Sequence, residues 1–168
     1  MTSRATIFQI CVVVHDVRQA NSNWARVLGR PEAEIHIIFA VEIVHYTHGK
    51  PVDYTDCQVA KYPLDGFVLE LIQPGRTASP WRDFLDRNGQ GVFHVCVQVD
   101  ERKNFQQTLS GIGVGLPYHV GYYPEGSYCY VDSSRQLGLD LSVNHRADYG
   151  PLLAGLLAGS VAPFDEIK

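Results

Sequence analysis

GVFHVCVQVD, at Gly91–Asp100, is the most informative stretch of this 168-residue sequence, because a near copy, IFQICVVVHD, occurs at Ile7–Asp16. Both stretches are almost wholly apolar, as strands covered on both faces are. When the two copies are aligned, His94 falls on Gln9, so each apolar run carries one polar residue at the same place. Each copy is therefore predicted to be a buried strand with a polar side chain at an equivalent position.

A second matching pair follows the two copies. Gly66–Ile72 (GFVLELI) aligns with Gly138–Asn144 (GLDLSVN), glycine on glycine and apolar residue on apolar residue. In that alignment Glu70 falls on Ser142. The pattern predicts one βαβββ unit used twice. The polar residues that interrupt its apolar strands are the candidates for chemistry.

The predicted fold is α+β with four consecutive parts. Residues 1–78 form the first βαβββ module, residues 79–90 a linking helix, residues 91–146 the second module, and residues 147–168 a tail with a short helix. Ser79 is a suitable N-cap for the linking helix. The tail helix carries an apolar stripe that either docks on the body of the protein or contacts a second subunit, formed by Leu152, Leu153, Leu156 and Leu157.

Within the modules, local signals predict the bounds of several elements. Asp16 and Asp100 are predicted to cap the helices that follow them. Ile35–Val44 is predicted to be a strand and His45–Asp53 a loop. Ile112 is predicted to face inward from the helix of the second module.

Composition and charge narrow the function classes. The net charge of −4 and the absence of a Lys/Arg run argue against a nucleic-acid partner. The apolar runs are too short to cross a bilayer, and the N-terminal sequence lacks the pattern of a secretory signal. The four cysteines lie singly in strand-like runs without CxxC spacing, which favours reduced thiols in a cytoplasmic protein over a zinc cluster of all four.

The quoted strands resemble the vicinal oxygen chelate superfamily, which includes glyoxalase I, methylmalonyl-CoA epimerase, extradiol dioxygenases and bleomycin resistance proteins. The resemblance covers roughly residues 6–145, and LELIQP at Leu69–Pro74 and GQGVFHVCVQVDE at Gly89–Glu101 look most like the epimerase. It implies two βαβββ modules side by side in a cup-shaped, partly open β-barrel. Such cups often pair, so a homodimer is expected.

The resemblance also implies a divalent metal held by the first and fourth strands of each module. The corresponding positions here are Gln9, Glu70, His94 and Ser142, where the epimerases have His, Gln, His and Glu. The third position matches, Glu70 is an acidic substitute, and Gln9 and Ser142 depart from the pattern. Two alternatives follow: Gln9, Glu70 and His94 bind zinc, cobalt, manganese, nickel or iron, or the site is metal-free and Glu70 pairs with His94.

The candidate roles follow from these positions. A carboxylate among apolar residues is costly to bury without a partner, so Glu70 is paired, ligating or protonated. Asp140 either replaces the carboxylate missing at Ser142 or lies at the rim. The predicted catalytic residues are Glu70, His94 and Asp140. The predicted substrate contacts are Gln9, Ser142, Tyr128 and Tyr130, although tyrosine is also common in strands that bind nothing.

The favoured function is an isomerase of the epimerase or racemase kind, which moves a proton next to a carbonyl with Glu70 as general base. The alternatives are a non-catalytic binding protein of the bleomycin-resistance kind and a glyoxalase-type lyase. An extradiol dioxygenase needs two histidines and a carboxylate, and only His94 and Glu70 are in place. The chain has 14 lysines and arginines without a cluster for coenzyme A phosphates, which argues against coenzyme A. The tyrosines favour a smaller aromatic substrate such as a ketone, and a thioester is the other class considered.

Overall fold

The computed structural model describes residues 4–38 and 43–167. The elements follow in chain order: β1 (Ala5–Val13), α1 (Val17–Leu28), β2 (Ile35–Ile37), β3 (Val44–Thr47), β4 (Lys50–Val52), β5 (Gln58–Leu64), β6 (Phe67–Gln73), α2 (Pro80–Asn88), β7 (Gly91–Val99), α3 (Arg102–Gly111), β8 (His119–Tyr123), β9 (Gly126–Val131), α4 (Ser134–Leu137), β10 (Asp140–Arg146) and α5 (Gly150–Leu157).

The predicted α+β class is confirmed. The strands of the described residues are hydrogen-bonded in the order β2-β5-β6-β1-β7-β10-β9-β8-β3-β4. This order has two free ends, so the sheet is not closed into a barrel.

The predicted duplication is confirmed by strand order. The first repeat is β1, α1, β2, β5 and β6, and the second is β7, α3, β8, β9 and β10. In each repeat the second, third, fourth and first strands lie side by side in that order.

The first repeat carries an additional hairpin, β3–β4, where the sequence predicted a loop. The predicted loop His45–Asp53 is wrong for most of its length, because β3 and β4 pair there and β3 also pairs with β8. The predicted strand Ile35–Val44 is likewise too long, since β2 ends at Ile37 and β3 begins at Val44. Residues 39–42 lie outside the described part of the chain. Polar residues such as His45 and His48 made this hairpin look like a loop.

The chain divides into two compact units that do not coincide with the repeats. The first unit comprises Phe8–Phe39 and Asp53–Val95. The second unit comprises Met1–Ile7, Ala40–Val52 and Cys96–Lys168. Each is described by itself below.

In the first unit, α1 covers one face of the sheet. Asp16 caps it as predicted, since its Oδ1 accepts hydrogen bonds from the amides of Arg18 (2.9 Å) and Gln19 (3.0 Å). Ser79 likewise caps α2 by accepting from the amide of Arg82 at 3.0 Å. The core beneath α1 is formed by Val14, Val17, Ala25, Ala60, Tyr62, Leu69 and Leu71.

In the second unit, the start of α3 differs from the prediction. Glu101, rather than the predicted Asp100, is the N-cap, and its side chain makes no capping hydrogen bond. Ile112 is half exposed rather than inward-facing, because the helix ends at Gly111 and the chain turns at that point.

The tail packs on the second unit. Arg102, which is buried, donates to the backbone carbonyl of Val143 at 3.2 Å and lies 3.5 Å from Glu166. Tyr122 donates to the other oxygen of Glu166 at 2.8 Å, and Ile167 is buried. Of the leucine stripe, Leu156 is buried and Leu157 is exposed, so the stripe docks only in part. Burial raises the pKa of the Tyr122 hydroxyl, and the negative charge of the neighbouring Glu166 raises it further.

The helices of the described chain fall short of the length and apolarity that a membrane span requires.

Candidate functional site

Three neighbouring strands of the first unit place polar residues in one row. On β1, Cys11 lies opposite Glu70 of β6, and Glu70 lies opposite Lys61 of β5. Residues paired across strands point to the same side of a sheet, and successive residues alternate. The alternate row contains Leu71 and Ala60, which belong to the core beneath α1. The row of Cys11, Glu70 and Lys61 therefore lies on the face opposite to α1.

His94 of β7 joins this row. One ligand atom from each of Cys11, Glu70 and His94 lies within 4.8 Å of the other two, and all three residues are buried. The exposed fractions are 0% for Cys11, 9% for Glu70 and 1% for His94. A thiol, a carboxylate and an imidazole thus meet in a place from which bulk water is excluded.

A neighbouring lysine balances the negative charge of Glu70 in this cluster. The Nζ of Lys61 lies 3.0 Å from Oε2 of Glu70, and the Lys61 side chain is half exposed. Burial lowers the pKa of His94 to about 4, although the nearby Glu70 charge acts in the opposite direction. His94 is therefore a neutral imidazole at neutral pH, and Glu70 has the partner that a buried carboxylate requires.

Cys11, Glu70 and His94 fit the requirements of a divalent metal ion. Catalytic zinc sites use three protein ligands of the thiolate, imidazole and carboxylate type and leave a fourth position open. The predicted ligand Gln9 shares the face of Cys11, but in the register it lies opposite Val68, one row away from Glu70. The structure thus brings the predicted ligands Glu70 and His94 together with Cys11, and the predicted ligand Gln9 lies on the same face of β1, diagonal to Glu70.

The second unit has its own polar and aromatic face. Two adjacent rows cross β10, β9, β8 and β3: Ser142, Tyr130, His119 and Thr47, then Asn144, Tyr128, Gly121 and His45. The rings of His119 and Tyr130 stack with centroids 4.7 Å apart. The Thr47 hydroxyl lies 2.9 Å from Nδ1 of His119. A Cβ at Gly121 would collide with the ring of Tyr128, so this glycine lets the ring lie across the strand.

Of the residues predicted to contact substrate, Ser142, Tyr128 and Tyr130 therefore lie together on one face. The Ser142 hydroxyl accepts a hydrogen bond from Asn144 at 3.1 Å. Asp140 accepts one from the Tyr118 hydroxyl at 2.9 Å. Burial raises the pKa of Asp140, and the Tyr118 hydrogen bond offsets part of that effect.

Sequence reasoning missed four residues of these two faces. Cys11 and Lys61 adjoin Glu70, and His45 and His119 adjoin the tyrosines. A signal existed for Cys11, since it alternates with Gln9 on one face of the first strand. Lys61 required the register of β5 against β6, and His45 required the unpredicted hairpin.

A family model described as "Glyoxalase/Bleomycin resistance protein/Dioxygenase superfamily" matches residues 8–130, well over half of the chain. Together with the duplicated βαβββ order, this match shows that the chain belongs to that superfamily, which is the vicinal oxygen chelate superfamily. None of the curated proteins matches the sequence.

Solved structures share the fold at low identity. A hypothetical protein from Bacillus halodurans C-125 is 13% identical with a TM-score of 0.57, over 86% of this chain and 96% of its own. Methylmalonyl-CoA epimerase from Mycobacterium tuberculosis is 16% identical with a TM-score of 0.54, over 89% and 91%. A variant Streptomyces coelicolor epimerase in complex with 2-nitronate-propionyl-CoA is 18% identical with a TM-score of 0.54, over 84% and 97%.

Proposed function

We propose that this protein is an isomerase that moves a proton at the carbon next to a carbonyl group. The observation that carries the proposal is the buried meeting of Glu70 with a neutral His94. A carboxylate beside a neutral imidazole provides a proton acceptor and a hydrogen-bond donor at one place.

Glu70 is the proposed general base. Its carboxylate takes the proton from the carbon, and the electron pair of the C–H bond moves into the carbonyl to form an enolate. Lys61 holds one carboxylate oxygen in the metal-free protein, and its half-exposed side chain can move toward solvent when substrate enters. A proton from solvent then adds to the opposite face of the enolate, and Glu70 releases the proton it took to solvent, which completes the isomerisation.

His94 is the proposed stabiliser of the enolate oxygen. Because its pKa is about 4, it acts as a neutral N–H donor rather than as an imidazolium. A hydrogen bond from a buried donor to the oxygen that gains charge lowers the barrier to proton removal. If Cys11, Glu70 and His94 held a divalent ion, that ion would supply the positive charge at the carbonyl oxygen in place of the His94 hydrogen bond, and Glu70 would act as base through its second carboxylate oxygen.

The proposed substrate is a small ketone, aromatic or not, or a simple thioester. The variant Streptomyces coelicolor epimerase is in complex with 2-nitronate-propionyl-CoA, and a further methylmalonyl-CoA epimerase with methylmalonyl-CoA. The 14 lysines and arginines of this chain, however, form no cluster in the sequence that would suit the coenzyme A phosphates. Tyr128, Tyr130, Ser142 and Gln9 remain predicted substrate contacts, and Asp140 remains a predicted catalytic residue.

Deuterium exchange tests the proposal directly. Aryl ketones and short acyl thioesters are incubated in heavy water with the wild-type protein, with Glu70→Gln and with Glu101→Gln, and exchange at the alpha carbon is followed by NMR. Glu101 is exposed, so it provides the same substitution away from the cluster. We expect exchange with wild type and with Glu101→Gln, and a loss of at least ~100-fold with Glu70→Gln.

The absence of protein-dependent exchange across these substrates would reject the isomerase for both classes. Calorimetric binding of the same compounds then distinguishes the alternative. If both the wild-type protein and Glu70→Gln bind these compounds and neither catalyses exchange, the result would instead support a ligand-sequestering protein of the bleomycin-resistance kind.

A further inference from the structure

We propose that Cys11 is a metal ligand, and that Cys11, Glu70 and His94 together bind a thiophilic divalent ion of the zinc type. In this arrangement the Cys11 thiolate takes the role that the superfamily pattern gives to the position of Gln9. The inference does not rest on the proposed isomerase activity, because metal binding is measured without substrate.

The strand register supports Cys11 over Gln9. Cys11 is the direct partner of Glu70 across β1 and β6, whereas Gln9 is the partner of Val68. Gln9 is therefore diagonal to Glu70, about 7 Å further along the strand, a distance that only its long side chain could bridge. With Cys11, the three ligand atoms already lie within 4.8 Å of each other.

Only a small contraction would complete the coordination. Zinc binds sulfur at about 2.3 Å and nitrogen or oxygen at about 2.0–2.2 Å, so tetrahedral ligand atoms lie about 3.5 Å apart. The ligand atoms therefore need to approach one another by about 1.3 Å at most. One protein ligand fewer than four leaves a position for water or for a substrate oxygen.

The donor set also determines which ions fit. A thiolate is a soft ligand that favours zinc and similar ions, while magnesium and manganese prefer carboxylate, carbonyl and water oxygens. Magnesium usually retains several water ligands and is bound through one or two carboxylates, whereas this cluster offers a single carboxylate beside a thiol and an imidazole. We therefore expect zinc to bind and magnesium not to bind.

The positive charge next to Glu70 can pass from Lys61 to a bound metal ion. Without metal, the Lys61 ammonium balances the Glu70 carboxylate at 3.0 Å. When the ion binds, the Cys11 thiol releases its proton to solvent, and the two negative ligands balance the two charges of the ion. The Lys61 ammonium is then surplus and can turn outward, since its side chain is 54% exposed. In the metal-free protein, Lys61 thus supplies the positive charge near Glu70 that the ion would supply after binding.

Zinc titration against a chromophoric chelator tests the inference on protein first stripped of metal. We expect ~1 zinc ion per wild-type chain and an affinity at least ~100-fold lower for Cys11→Ser. Cys57→Ser is the matched control, because Cys57 is a buried thiol of the same unit outside the cluster. Cys57→Ser and Gln9→Ala should bind zinc as wild type does, and Lys61→Gln should bind it about threefold more tightly.

A cobalt spectrum keeps the inference testable if Cys11→Ser fails to fold, which circular dichroism reports. Cobalt-loaded wild type and Cys57→Ser should both show a sulfur-to-cobalt charge-transfer band. A missing band, no zinc uptake by wild type, or unchanged zinc affinity in folded Cys11→Ser would overturn the proposal. A loss of affinity in Gln9→Ala equal to that in Cys11→Ser would also overturn it.

Discussion

Mild acid should destabilise the metal-free protein through one buried side chain, His94. Its pKa in the folded protein is about 4 because burial disfavours the imidazolium, with the Glu70 charge acting in the opposite direction. In the unfolded chain the same group has a pKa of about 6.5. The unfolded state therefore takes up the proton first as the pH falls, and the stability present above pH 6.5 is lost progressively toward pH 4.

The size of this loss follows from the two pKa values. One pKa unit corresponds to about 1.4 kcal/mol, so the full difference amounts to roughly 3 kcal/mol. At pH 5, where the folded form is still largely neutral, about 2 kcal/mol of it should already be lost. This is a large share of the 5–15 kcal/mol that is typical, as an order of magnitude, of the total stability of a domain.

Urea unfolding of chelator-treated protein at pH 7, 6 and 5 measures the effect. His94→Gln removes the titrating group, so its free energy of unfolding should fall by about 2 kcal/mol less than that of wild type between pH 7 and pH 5. The matched control is His15→Gln, which makes the same substitution at an exposed position and should follow wild type. Equal pH slopes for wild type and His94→Gln would refute the argument, whatever the absolute stability of either.

Three further predictions concern other contacts. Glu166→Ala leaves the buried Arg102 without its carboxylate partner and should lower the free energy of unfolding by about 2–3 kcal/mol in urea titration; a change below about 0.5 kcal/mol would contradict it. Asp56→Ala removes three hydrogen bonds to the loop at residues 76–77 and should cost about 1–2 kcal/mol, with faster amide exchange confined to that loop; unchanged exchange would disprove it. Gly121→Ala forces the Tyr128 ring aside and should cost about 1–3 kcal/mol with an altered near-ultraviolet tyrosine spectrum, whereas a wild-type spectrum would show that the ring does not lie there.

Much of the fold could be predicted because the sequence contains an internal repeat whose two copies can be aligned. The match of Gly91–Asp100 to Ile7–Asp16 identified the two first strands, and the alternation of side chains identified the face that carries Glu70. Both inferences depend on local patterns that hold wherever a strand is covered by apolar neighbours.

The hairpin β3–β4 could not be predicted in the same way. Its sequence is polar and includes Gly49 at positive φ, so local signals indicate a turn without long strands. Its strand character depends on pairing with β8, a contact between segments more than 70 residues apart. Such pairing is a property of the tertiary fold and overrides local propensity.

The composition of the site was predicted in part for a related reason. Glu70 and His94 could be identified as polar interruptions of apolar strands. Cys11 shares a strand face with Gln9, but this signal was not sufficient, because a cysteine in an apolar run resembles a small hydrophobic residue. Only the register of β1 against β6 distinguishes Cys11 from Gln9 as the neighbour of Glu70.

The pairing of β3 with β8 also bears on how such a chain can be divided or recombined. The second repeat, expressed from residue 91 onward, would contain β7 to β10 but would lack the segment that covers the outer edge of β8. An uncovered edge strand is a template for pairing with another chain. A half-length fragment should therefore tend to self-associate through β8 and through the edge of β7 that β1 covers in the whole chain. Shuffling whole repeats between relatives should fail here unless residues 43–52 are transferred together with the second repeat.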